Sequence, residues 1–186
     1  IRQVGDKYGM YLFVDGARMG YGLGSEANDV SLRDFGQLAD VFYLGGTKCG
    51  ALFGEAVVLL ADSLKHRFKT YMKQNGAVLA KGWLLGLQFY ALLENGEYFK
   101  ITARADKLAM RLKEAFAKKG IPFAVDSPTN QQFVILTPLQ EEKLAEKYIF
   151  EDMGTLEDGR KKVRFCTSWS TTEEEIEALI ADIQAL

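Results

Sequence analysis

YLFVDGAR, residues 11–18, is a continuous apolar run closed by Asp15 and Gly16, with Arg18 three residues past the aspartate. Its first four residues have the length and all-apolar pattern of a strand in a parallel sheet covered on both faces. Asp15 then stands at the C-terminal end of that strand, the edge where open α/β sheets receive their ligands. A second apolar run, residues 41–44, closes on GGTKCG at 45–50 and carries Lys48 just past its own end. A carboxylate and a primary amine are therefore expected on one edge of one sheet, with residues 56–61 supplying a third strand.

The residue types suit one kind of chemistry. An acid that can hold a proton on a heteroaromatic nitrogen, and an amine that can condense with an aldehyde, are what a pyridoxal 5'-phosphate (PLP) enzyme needs. A carboxylate close to the pyridine nitrogen favours its charged form. Lysine loses its proton readily when buried or set beside another cation, which frees the amine to attack. Gly45, Gly46 and Gly50 are expected to let the backbone pass close to the cofactor. Each residue taken alone has a plainer use: Asp-Gly after a strand makes a turn, a loop lysine is solvated, and Arg18 or Arg164 suits a structural ion pair. Their order, on two strand ends, is what carries the reading. The alternating glycines of MGYGLGSE, residues 19–26, do not place a third glycine where a dinucleotide-binding turn needs it. GGTKCG likewise lacks the early glycine of a phosphate-binding nucleotide loop.

VDGAR and GGTKCG together resemble the low-specificity threonine aldolases, within the β-eliminating lyase group of fold-type I PLP enzymes. The resemblance continues through MKQNGAVLAKGWLLGLQFYALLENG at 72–96 and VRFCTSWSTTEEEIEALI at 163–180. It implies an α/β fold, with residues 1–97 forming the C-terminal part of the PLP-binding large domain and residues 98–186 a small α+β C-terminal domain. It further implies that Lys48 is the catalytic Schiff-base lysine, that Asp15 binds the pyridine nitrogen, and that Arg18 and Arg164 hold the substrate carboxylate, Arg18 also lying at the cofactor. The implied reaction is cleavage of a small, threonine-like β-hydroxy amino acid to glycine and an aldehyde. Two alternatives remain at this point: β-elimination on a small amino acid with the same residues, and a non-catalytic fragment. The family also implies a homo-oligomer, a dimer or a tetramer.

Composition agrees with such an enzyme without selecting it. The 186 residues are 48% hydrophobic and 26% charged, enough for a buried core in one or two domains. A net charge of −2 argues against a nucleic-acid partner. The most apolar stretch, residues 78–93, is interrupted by Lys81, Gln88 and glycines, so no membrane span is expected. Cys49 and Cys166 have neither metal-ligand spacing nor the density of a disulfide scaffold. No metal is expected, and reduced thiols fit a cytoplasmic location. Cys49, beside Lys48, is a candidate cofactor contact.

Further along, Asp62 is placed to cap a basic helix, SLKHRFKTYMK at 63–73. Residues 77–94 are apolar on almost every face, the pattern of a buried helix ended by Asn95 and Gly96. Helical spacing from Ile101 to Phe116 stops at Gly120. Residues 131–137 and 163–167 read as strands and 139–148 as a short helix, and Thr172 with Glu175 forms a capping box for a last helix. Family members place a glycine-rich phosphate loop and a ring-stacking residue before the aspartate. Here IRQVGDKYG, residues 1–9, reads as the tail of a helix, so a missing N-terminal half is expected to supply both. His66 is read as a surface residue rather than the base for the β-hydroxyl, and Lys65, Arg67, Lys69 and Lys73 as a solvated face more than as phosphate ligands across a dimer.

Overall fold

The two apolar runs pair in parallel. In the computed structural model, which describes residues 1–186, β1 (Phe13–Val14) sets Phe13 against Val41 and Val14 against Phe42 of β2 (Val41–Gly45). β3 (Glu55–Leu59) joins the other edge of β2 in antiparallel register, from Val41 opposite Leu59 to Gly45 opposite Glu55. Before β1 runs α1 (Arg2–Lys7), whose Arg2 donates to Asp40 at 2.6 Å. The Leu12 amide donates to the same carboxylate at 2.7 Å, so one acid ties down the entry to both parallel strands. α2 (Met19–Gly24) and α3 (Leu32–Leu38) connect β1 to β2. α3 opens with Asp34 accepting from the Ser31 amide, and its Phe35 ring lies 5.8 Å from Phe42, so α3 covers one face of the sheet.

The rest of this part of the chain departs from expectation in three places. β1 is two residues long, and Phe13 is 59% exposed, as is Val57 at 51% on the same side of the sheet, while Tyr43 between them is half-buried. The basic helix is two pieces, α4 (Asp62–Lys65) and α5 (Phe68–Gln74), broken at Arg67, whose φ of 55° is left-handed. A non-glycine residue there cannot continue a right-handed helix. Asp62 lies inside the first turn instead of capping it, and pairs with Lys65 at 2.7 Å. The apolar helix begins only at Trp83: α6 (Trp83–Glu94) buries Phe89 alone, and Trp83, Leu84, Leu87 and Tyr90 are exposed. It ends as expected at Asn95 and Gly96, whose φ is 69°.

α7 (Glu97–Lys118) is stopped by Gly120, with φ 74°. Contacts divide the chain into two units, Ile1–Leu23 with Asn28–Lys100, and Gly24–Ala27 with Ile101–Leu186. The second holds an antiparallel sheet in the order β4 (Phe123–Val125), β5 (Gln131–Leu136), β7 (Lys161–Cys166), β6 (Glu151–Thr155). Alternation sends Val134, Leu136, Val163 and Phe165 into one core with Leu108, Leu112 and Phe116 of α7. α8 (Pro138–Ala145) adds Leu144, and α9 (Glu173–Ala185) adds Ile176, Leu179 and Ile183. The same alternation turns Arg164 to the opposite face. β4 and β6 carry no sequence signal of their own; β6 is a fully exposed edge strand whose residues have no core-facing pattern. No helix is long and apolar enough to cross a membrane.

Candidate functional site

Because β1 and β2 are parallel neighbours, the turns that leave their C-terminal ends lie side by side. Asp15 follows β1 and Lys48 sits in the turn after β2. Backbone packs on backbone here. A Cβ on Gly16 would stand 1.6 Å from the Tyr43 carbonyl oxygen, one on Gly45 2.3 Å from the Ala17 oxygen, and one on Gly46 2.2 Å from the Gly54 oxygen. Gly45 and Gly46 are thus required by the chain's own close approach, whatever binds beside them. The Gly45 amide donates to Gly16 O at 2.9 Å and joins the two turns.

Several side chains hold the lysine turn. The Gly46 amide donates to Glu55 at 2.7 Å, and the Cys49 and Ala51 amides both donate to Gly46 O, at 2.9 and 3.0 Å. Tyr98 donates its hydroxyl to Gly45 O at 3.0 Å, and the buried Tyr21 donates to the Lys48 carbonyl. The Lys48 side chain itself is exposed. Cys49 faces the other way: it is fully buried, bonded to Tyr98 and the Gly20 backbone, and burial pushes its thiol up. It is not a contact for anything bound on the open edge.

Asp15 is exposed, and its Oδ1 accepts both the Ala17 amide, at 3.0 Å, and the Tyr43 hydroxyl. These bonds, with a smaller contribution from the Lys48 charge, hold its carboxyl below the usual carboxylate range. Tyr43 is pushed up in return. Arg18 follows in the turn before α2 and is half-buried. Asp15 and Arg18 line one cavity of about 290 Å³ with Val14, Met19, Val30 and Phe35. In this cavity an ionised carboxylate and a guanidinium over an apolar floor can hold a cationic aromatic nitrogen and a carboxylate, while the Lys48 amine, outside the cavity lining but close enough for its charge to act on Asp15, can meet a carbonyl carbon.

Arg164 belongs to the second unit. It donates to Glu151 at 2.8 Å and to Gln131 at 3.2 Å, the residues that the register of β6, β7 and β5 brings around it. His66 and Arg67 are exposed at the break between α4 and α5. The structure thus brings Asp15, Lys48 and Arg18 together in one unit and adds Tyr43, Tyr21, Tyr98 and Glu55, none of which was singled out from sequence. Tyr43 had a usable signal: if residues 13–14 pair in parallel with 41–42, residue 43 must fall beside residue 15.

No protein-family model matches the chain. A low-specificity L-threonine aldolase of Pseudomonas sp. (strain NCIMB 10558) is 30% identical over 152 residues, which are 79% of this chain and 42% of that protein. A structure of Leishmania major threonine aldolase superposes with a TM-score of 0.96 at 38% identity, covering 99% of this chain and 54% of that one. At 15% identity, the serine palmitoyltransferase of Sphingomonas wittichii shares the fold with a TM-score of 0.68, over 98% of this chain and 48% of its own. The chain therefore spans about half the length of the proteins it matches.

Proposed function

The chain is related to the threonine aldolases over about half their length and has the fold of fold-type I PLP-dependent enzymes, and on that premise we propose that the complete protein uses PLP to cleave a threonine-like β-hydroxy amino acid to glycine and an aldehyde. One observation carries the reading. Asp15 and Lys48 lie in the turns that follow two neighbouring parallel strands, close enough that the lysine charge favours the ionised carboxylate. The donor set fits the cofactor: a carboxylate already held ionised suits a protonated ring nitrogen, and an exposed primary amine suits an aldehyde. When bound, PLP supplies an electron sink for negative charge developing at the substrate Cα.

The chain's own residues then have separate duties. Asp15 keeps the proton on the ring nitrogen, and the Lys48 amine is the attachment point. Arg18 offers a planar fork to the α-carboxylate, which fixes the rotation about the Cα bonds and so selects Cα–Cβ as the bond aligned for cleavage. Arg164 is the proposed second contact, and would exchange Glu151 for the substrate to make it. The phosphate cradle and the base for the β-hydroxyl are assigned to the other half of the protein.

Lys48 carries the test. In the full-length protein treated with PLP and then borohydride, peptide mapping should find the pyridoxyl group on Lys48. A label on Lys65 or Lys73 instead would overturn the assignment. Lys48→Ala should take no label and keep the wild-type circular dichroism, because the exposed side chain contributes little packing.

A further inference from the structure

Both donors that reach Asp15 bond the same oxygen. The Ala17 amide and the Tyr43 hydroxyl go to Oδ1, and Oδ2 accepts nothing from the protein. The register explains why Tyr43 is the second donor: Val14 lies opposite Phe42, so the next residues, Asp15 and Tyr43, fall side by side. The Tyr43 ring is steadied there by Phe13, 6.1 Å away between centroids. Gly16 rests on the Tyr43 peptide so closely that no side chain fits between them, which holds the turn carrying Asp15 against the strand carrying Tyr43.

We propose that Tyr43 is a positioning residue for the ring nitrogen of the cofactor: by occupying Oδ1 it sets the Asp15 rotamer and presents Oδ2 as the single free acceptor. The proposal rests on the PLP reading above. Its physical content is that a carboxylate with one oxygen tied to two donors has lost most of its freedom to turn. It then meets an N–H⁺ group without paying for ordering at the moment of binding. A phenol donor also favours the ionised acid, the only form that pairs with a ring cation.

The test uses two probes on the full-length protein: PLP, and the analogue in which the ring nitrogen is replaced by C–H. Wild type should prefer PLP. Tyr43→Phe keeps the ring against Phe13 and should reduce that preference roughly tenfold, the size expected for one hydrogen bond to a charged group, while affinity for the carbon analogue stays the same. An unchanged preference, or an equal loss for both probes, would overturn the role of Tyr43. A wild type with no preference would instead show that Asp15 does not read the ring nitrogen, and would remove the PLP reading beneath it. A second measurement needs no variant: the wild-type preference should persist as pH falls through about 4, the ordinary aspartate value. Collapse of the preference at that pH would contradict a carboxylate held ionised by Tyr43.

Discussion

Among single residues, Asp106 makes a prediction independent of the site. It is 3% exposed on α7, and neither carboxyl oxygen has a partner of good hydrogen-bond geometry. Burial pushes its pKa up to about 7, with the Asn130 backbone amide pulling weakly the other way. Between about pH 4, where an unfolded aspartate ionises, and about 7, where the folded one does, the unfolded chain binds fewer protons. Stability must therefore fall as pH rises through that window. Asp106→Asn should abolish this slope and stabilise the protein above pH 7 by on the order of 2–4 kcal/mol. The check is the difference in thermal midpoint between variant and wild type against pH; a difference that stays flat from pH 4 to 7 would contradict it. Nothing local in RADKLAM distinguishes Asp106 from the exposed charges beside it. The positions of Asp15 and Lys48, by contrast, were legible because each follows a strand whose apolar run is itself visible.

At the level of elements, legibility follows how local the cause is. The last helix begins where its capping box predicts: the Glu175 amide donates to the Thr172 hydroxyl at 3.2 Å, and the Thr172 amide to the Glu175 carboxylate at 2.8 Å. Thr172→Ala should cost about 1 kcal/mol, read as faster hydrogen exchange at the first-turn amides of α9, with Ile176 and Leu179 still in the core. Unchanged exchange there would show that packing alone sets the helix start. β6 and the break at Arg67 were invisible for the opposite reason. β6 is a strand because β7 supplies its hydrogen bonds. SLKHRFKTYMK has nothing in its spacing that forbids one continuous helix.

For the whole molecule the unfilled apolar surface is the main fact. Trp83 is 65% exposed on α6, and Leu87 and Tyr90 stand open beside it, as do Phe13 and Val57 on the sheet. Soluble proteins seldom leave so many large apolar side chains uncovered without a partner. A chain spanning about half the length of its relatives accounts for this if the other half covers these faces. The isolated 186-residue chain should then self-associate in sedimentation, bind PLP weakly and fail to cleave threonine, and co-expression with the remaining half should restore both properties. A monomeric isolated chain that cleaves threonine would refute the expectation.

That surface also marks where reading the amino acids stops. The strand runs with their terminal Asp15 and Lys48, the helix stops at Gly96 and Gly120, and the capping box at Thr172 are written in neighbouring residues, because turn chemistry and periodicity act over a few positions. The apolar pattern of residues 77–94 predicts a buried helix, whereas the folded chain forms it only over 83–94 and buries only Phe89. Three-dimensional pairing decided the rest. Parallel register brought Tyr43 to Asp15, backbone contact claimed Gly45 and Gly46, and the β6 to β7 pairing gave Arg164 its Glu151. Each of these joins residues that no short-range rule connects, so only the folded chain could reveal them.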